Sequence, residues 1–324
     1  MVFIYGCSGD TVKEETPISD IEFRKGTEGI AIDFLNKAPP DTVFENSPFT
    51  IIIRLRNIGA SDVEEGFLTL GLERDYVSDI NWEFVEGTLE KTELEETASF
   101  SLEGKKFTNP TGNEEFVSID VKSRGIEAQS ETHTSVILAT ACYKYKTEFG
   151  GNVCVDTDIF NLRPIKKVCQ IKDLTFTAGQ GAPVAVTKVE TQILPDETSN
   201  NIRPQFLIHV ENKGNGEVVH KQRYGQVCSK FDRVEGEELY EDFNVVFVNA
   251  FLSEKQLDCS LADEGDEGRV KLKDKKAVAR CVLSQENAID SNKDAYISTL
   301  RVELDYGYTE TISAQTTIEK ALKY

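Results

Sequence analysis

The chain carries one methionine, at its first position, one tryptophan (Trp82) and three histidines (His133, His209 and His220) in 324 residues. A single methionine excludes a Met-rich, adaptable binding groove. None of the histidines stands beside a serine or cysteine nucleophile motif, and His209 falls on the polar side of an alternating run. GxSxG, HExxH, the P-loop and a GxGxxG opening a helix are all missing, so the usual signatures of hydrolases, zinc proteases and nucleotide enzymes are not there. Carboxylate pairs could be drawn anywhere in so acidic a chain, and nothing singles one out. The expectation is a protein without enzymatic activity.

Positive charge is also scarce. Lys and Arg number 36 against 56 Asp and Glu, a formal net charge of -20. That balance excludes nucleic acid, whose phosphates need a basic footprint, and it disfavours an anionic lipid surface as an electrostatic partner. It reads first as solubility on an exposed surface. No run of about 18 apolar residues occurs, so no segment of the sequence reads as a bilayer-spanning helix. Nor is there an Asn-x-Ser/Thr glycosylation site.

Against these absences, 39% of the residues are apolar and 18 are Phe, the composition of a folded protein. One stretch occurs twice. Ile51, Ile53 and Leu55 alternate and lead into Asn57-Ile58-Gly59; Phe206, Ile208 and Val210 do the same before Asn212-Lys213-Gly214. Alternation is the period of a strand with one buried face, and Asn and Gly are the residues that tolerate a left-handed turn. Further strands are predicted at 29–33, 67–72, 98–102, 115–121, 134–145, 184–189, 244–248, 278–283, 297–304 and 309–318, with Gly, Asn and Pro between them. No convincing amphipathic helix interrupts them. The fold class is all-β: two tandem immunoglobulin-like antiparallel sandwiches, at 21–165 and 166–324, with a linker near 161–172. Trp82, Phe84 and Val85 read as core rather than as a sugar platform, and Tyr306 and Tyr308 as core rather than as binding residues.

The repeated strand, its Asn-x-Gly end, an acidic turn and a Val-containing strand (Val63, Val218) resemble the CARDB-type, immunoglobulin-like adhesion modules of prokaryotic surface proteins. The segments Leu35–Phe49, Gly179–Val186 and Glu303–Tyr308 are similar to surface proteins of small-genome archaea. The N-terminus resembles the lipobox of prokaryotic lipoproteins, with Ile4 at the apolar position, Gly6 before the cleavage point and Cys7 as the residue that would carry lipid. Tyr5 is larger than that pattern prefers, and a full signal peptide would need residues upstream of Met1. Residues 8–20 are polar and acidic, the composition of a tether, so 1–20 reads as anchor segment and tether. The resemblance implies an extracellular, membrane-anchored protein whose only membrane contact is the lipid, and whose partners are other surface proteins or copies of itself.

The remaining cysteines, Cys142, Cys154, Cys169, Cys228, Cys259 and Cys281, are even in number and carry no zinc-type CxxC spacing, which predicts disulfides outside a reducing cytosol. Six cysteines allow 15 connectivities. Gly150-Gly151 predicts a hairpin opposing Cys142 and Cys154, and the turn at Asp263–Gly268 predicts Cys259 with Cys281, which leaves Cys169 with Cys228. Asp290, Asn292 and Asp294 have the D-x-N-x-D spacing of a calcium loop. Ala295 stands where Gly is required and Arg301 where a bidentate Glu is required, so a polar turn is preferred and no cofactor is expected. Asp156 and Asp158 suggest another polar turn. Adhesion or envelope building is the expected role, as a lone adhesin or as a filament or lattice subunit. The alternative is an accessory lipoprotein that binds polysaccharide or substrate for a transporter or hydrolase, which would require Trp82 to be exposed.

Overall fold

The computed structural model describes residues 22–84, 89–164, 166–196, 199–228, 239–261 and 268–321. Its strands are β1 (Ile30–Phe34), β2 (Thr42–Phe44), β3 (Pro48–Asn57), β4 (Val63–Leu72), β5 (Val77–Phe84), β6 (Glu90–Lys91), β7 (Thr97–Leu102), β8 (Glu114–Ser123) and β9 (Thr132–Val155). The second half adds β10 (Leu174–Thr175), β11 (Val184–Pro195), β12 (Asn201–Asn212), β13 (Glu217–Val219), β14 (Val245–Leu252) and β15 (Lys255–Leu261). It closes with β16 (Arg269–Lys271), β17 (Lys276–Leu283), β18 (Ile289–Asp290) and β19 (Tyr296–Glu319). Apart from short 3-10 turns, the helical content of the described residues is one turn, α1 (Tyr224–Cys228). The chain is all-β, as its alternation predicts.

β3 shows the cause. Phe49, Ile51, Ile53 and Leu55 are buried while Thr50, Ile52 and Arg54 between them are only partly buried, so one face is core and the other meets solvent. Each fully buried Ile or Leu contributes about 1.5–3 kcal/mol relative to exposure.

Two strands set the architecture. β9 and β19 are 24 residues long and pair antiparallel along their whole length, from Thr132 opposite Glu319 to Val155 opposite Tyr296. At ~3.4 Å per residue the ladder is about 80 Å long. β4 and β7 extend it beside β9, β14 and β16 extend it beside β19, and β2 runs parallel to the last residues of β19. One face of this long sheet is mostly apolar, with Ile137, Ala139, Phe149, Leu300, Val302 and Ile318 all buried. Two smaller sheets cover it side by side, β1-β3-β8-β5 on the first half and β10-β11-β12-β17-β15 on the second. The matching orders β1-β3-β8-β5 and β11-β12-β17-β15 show that the two halves are copies of one sandwich.

The copies are joined by more than a linker. The later part of β9 (144–155) lies beside 296–307, among strands of the second copy, and the later part of β19 (308–319) lies beside 132–143, among strands of the first. Each sandwich therefore completes the other, and the sheet runs across the sequence boundary near 165. The expected hairpin at Gly150-Gly151 is not formed. Both glycines continue β9, opposite Arg301 and Leu300. Gly151 is needed for packing, because a Cβ there would stand 2.9 Å from the Phe149 ring.

At the centre of the ladder Lys144 faces Gly307, and Tyr143, Tyr145, Tyr306 and Tyr308 flank them on the buried face. Tyr145 Oη accepts from Ser61 N (3.2 Å) and donates to Asn57 Oδ1 (3.3 Å). Tyr308 Oη accepts from Gly216 N (2.8 Å) and donates to Asn212 Oδ1 (3.4 Å). Each Asn also accepts from the Gly two residues on and donates back across its own turn, to Ser61 O and Gly216 O. The other two rings repeat the symmetry, with Ile30 N donating to Tyr143 Oη (3.0 Å) and Val184 N to Tyr306 Oη (3.3 Å). Asn57, Gly59, Asn212 and Gly214 are not among the left-handed residues. The conserved spacing within the chain has another cause: a Cβ on Gly59 or Gly214 would collide with the hydroxyl of Tyr145 or Tyr308.

Beside the tyrosines, the two copies differ in polarity at the second position after each pair. Thr147 Oγ1 donates to Val184 O (2.6 Å) and meets Tyr306 Oη at 3.0 Å. Its symmetry counterpart is Glu310, near Tyr143. Burial, followed by the carboxylates of Glu28 and Asp33, raises the pKa of Glu310. A raised carboxylate pKa favours the fold below the unfolded-state value and costs stability as pH rises through the folded one. Glu310→Gln should therefore melt above the wild type at pH 7, with the difference closing as pH falls into the carboxylate range. A difference independent of pH would refute the assignment. Tyr145→Phe and Tyr308→Phe should each lower stability by about 1–3 kcal/mol in urea titration, because each leaves a buried amide N–H without its acceptor. Unchanged midpoints would show that the tyrosine hydroxyls carry no weight.

Candidate functional site

The outer face of β9 and β19 is solvent-facing except where two disulfides fasten segments to it. Cys142 is bonded to Cys228, 86 residues away, and Cys154 to Cys169, 15 residues away. Cys259 is bonded to Cys281, its neighbour across β15 and β17. Of the expected pairings the structure has Cys259–Cys281 and replaces the other two. Cys142 and Cys154 lie on one extended strand, ~40 Å apart, far beyond bonding reach. The first bridge holds α1 against β4 and β9, where the Tyr224 ring stacks on Phe67 and its hydroxyl donates to Glu65.

The second bridge holds the loop that follows β9. Asp158 accepts from the amides of Leu162 (2.9 Å) and Arg163 (3.1 Å), and Asp156 accepts from the amide of Asp158, the turn expected for this acidic pair. Lys167 Nζ reaches Asp156 (2.6 Å), Asp158 O and Asn161 Oδ1 (2.7 Å each). Arg163 bonds Thr157 and the carbonyl of Asn292. So well tied a loop nevertheless presents Phe160, Leu162 and Val168 to solvent, 70%, 80% and 71% exposed. Ile297, opposite Cys154 in the ladder, is 60% exposed. No acidic residue occurs from Ile159 to Lys172, while Arg163, Lys166, Lys167 and Lys172 do. A rigid, apolar and basic loop thus stands at one end of an acidic molecule, the composition of a contact surface.

A larger concavity, about 740 Å³, opens where the hairpin β14–β15 carries the chain from the long sheet to the smaller one. Arg203, Asn249, Gln256, Asp258, Ser260 and Arg280 line it. These residues belong to β12, β14, β15 and β17, and no motif in the sequence brought them together. The only signal in the sequence is that Arg203 and Arg280 fall on the polar positions of alternating strands.

The residues singled out by sequence fall elsewhere. Asp290 accepts from the backbone and side-chain amides of Asn292 (2.9 Å each), and Asp294 faces Arg163 at 3.9 Å. The segment forms a polar turn closed through Asp290 Oδ1, and no cluster of three metal-binding acidic, His or Cys side chains occurs among the described residues. Trp82 is 6% exposed and its Nε1 donates to Glu95 O (2.7 Å), so it offers no platform for a sugar ring. Tyr306 and Tyr308 are core, as expected. His133 and His209 bond Glu73 and Glu190 on separate surfaces, and burial lowers the pKa of His220. Cys7, the tether at 8–20, the Phe84 side chain, Val85 and the acidic turn at 263–267 lie outside the described residues.

No family model matches the chain, and no curated protein matches it. Among solved structures, the partial N-terminal region of the enterococcal surface protein aligns at 6% identity over 98% of this chain and 99% of that one, with a TM-score of 0.19. The C-terminal domain of the Streptococcus pyogenes antigen I/II-family protein AspA aligns at 7% identity over 91% and 98%, with a TM-score of 0.16. The collagen-binding domain of the Erysipelothrix rhusiopathiae surface protein RspB aligns at 9% identity over 93% and 91%, with a TM-score of 0.12. Superpositions this loose decide neither ancestry nor function.

Peptide mapping without reduction should recover Cys142 linked to Cys228 and Cys154 linked to Cys169; a Cys142–Cys154 peptide would contradict the ladder. Replacing Cys154 and Cys169 by Ser removes a 15-residue closure and should cost about 3 kcal/mol. Faster hydrogen exchange confined to 156–173 would accompany that loss.

Proposed function

We propose that the protein is a non-enzymatic, extracellular surface protein that acts in adhesion or envelope assembly, with its sandwiches serving as a stiff presenting arm. The observation that carries this reading is the disulfide-clipped ladder. Three bridges belong to an oxidising compartment, and two of them pin segments of the second copy onto one continuous strand. A shared ladder resists bending between the sandwiches, which suits a part that must hold a surface away from a cell. In this reading the acidic segment at 8–20 is the tether, and a lipid on Cys7 is the only membrane contact.

The loop at 156–173 is the contacting end. Its charge favours an acidic protein partner, and other copies of this chain, at a net charge of -20, meet that description. Assembly through it would be head-to-tail, because a basic surface cannot pair with itself.

Biotinylation of intact host cells with a membrane-impermeant reagent tests the placement. The protein should be labelled, and its intact mass should rise by about six daltons on reduction, two hydrogens for each bridge. An unlabelled protein with free thiols would overturn the reading. Electron microscopy of envelope preparations separates its two forms, since regular polymers indicate a structural subunit and dispersed particles an adhesin. Leu162→Asp with Val168→Asp should abolish either contact while leaving the melting temperature unchanged.

A further inference from the structure

The cleft between β14 and β15 contains two arginines, Arg203 and Arg280, that form no ion pair among the described residues. Arg24, Arg54, Arg56, Arg74, Arg223 and Arg301 each stand next to a carboxylate. With 56 acidic residues in the chain, that is the ordinary fate of an arginine here. Arg203 and Arg280 have no carboxylate partner among the described residues. Each is instead oriented through one nitrogen. Arg203 Nε donates to Leu283 O at 2.8 Å, and Arg280 Nε donates to Gln205 Oε1 at 2.6 Å. Gln205 is itself held by Gln192, at 2.7 Å. The terminal nitrogens of both guanidinium groups remain available, on side chains whose rotation is already restrained. Restraint of this kind lowers the entropic cost of capturing a ligand.

The rest of the lining decides what kind of ligand. Asn249, Gln256 and Ser260 both donate and accept, and the Asp258 carboxylate can only accept. Val248, Leu257 and Val282 also line the cleft but are almost fully buried, so among the described residues no apolar side chain projects as an anchor for a protein partner. The arrangement calls for a molecule with an anionic group for the arginine forks and hydroxyls for the amides and Asp258. An acidic peptide such as oligoglutamate would supply the charge but has no hydroxyls for the amides and Asp258 to bind.

We propose that this cleft is a binding site for an acidic sugar, with Arg203 and Arg280 gripping its carboxylate or sulfate and Asn249, Gln256, Asp258 and Ser260 reading its hydroxyls. The proposal deepens the surface reading, because an extracellular protein would meet such glycans there. Binding by the purified chain does not depend on that placement, so either idea can fail alone.

The test is titration calorimetry of the full chain with four probes: oligogalacturonate, a heparin-derived oligosaccharide, a neutral dextran oligosaccharide and an oligoglutamate. A chain of this negative charge repels polyanions unless a site overcomes the repulsion, so binding itself is informative. Oligogalacturonate, the heparin fragment or both should bind, and which one does distinguishes carboxylate from sulfate recognition. The neutral sugar and oligoglutamate should not bind. Arg203→Gln and Arg280→Gln should each weaken binding about tenfold or more. Should either glutamine variant fail to fold, Arg203→Lys or Arg280→Lys keeps the charge, loses the bidentate fork, and should still bind more weakly. Absence of binding to both acidic sugars, equal binding of oligoglutamate, or variants that bind like the wild type would overturn the proposal.

Discussion

Burying four tyrosine hydroxyls at one place is the constraint on which the rest of this molecule depends. Tyr143, Tyr145, Tyr306 and Tyr308 pack edge-on or tilted, with ring centroids 5.5–6.4 Å apart. A buried hydroxyl without a partner costs stability, so each must find one. Each does so at a strand entry or at an Asn-x-Gly end, and those bonds position β1 and β11, β3 and β12. The symmetry of the two copies is therefore the symmetry of this hydrogen-bond set. It explains why the Gly of each motif must lack a Cβ, and why the ladder does not stop where one sandwich ends.

Two of the three disulfides act on the other face of the same ladder. The inner face is closed by two sheets and needs no staple. The outer face is wet, and segments lying on it have too little apolar surface to stay by burial alone. Cys142 and Cys154 occur on that face, where they fasten α1 and the loop after β9. The side of β9 that carries these two cysteines thus carries most of what distinguishes the second copy from a plain repeat.

Charge is distributed to match. The molecule is acidic overall, yet the loop after β9 is apolar and basic from Ile159 to Lys172, and two arginines in the cleft between β14 and β15 have no carboxylate partner among the described residues. Both are held in place by hydrogen bonds to neighbouring strands and turns. In a chain where most arginines are neutralised, such exceptions are where binding energy is available.

Sequence alone determined the all-β class, the repeat, most strand positions and the buried roles of Trp82, Tyr306 and Tyr308. These depend on period-two alternation and on turn residues, which are local in the chain. Tertiary structure decided everything that depends on which strand meets which. Gly150-Gly151 has the composition of a turn, but the strand runs on because 296–301 offers an unbroken set of backbone partners and Phe149 needs the space. The cysteine pairing changed with it, since an extended strand separates Cys142 from Cys154. Asp290, Asn292 and Asp294 had a metal-like spacing, and their local hydrogen bonds used it for a turn. Arg203 and Arg280 are far apart in sequence and become a pair only because β12 lies beside β17, a contact that no local pattern encodes.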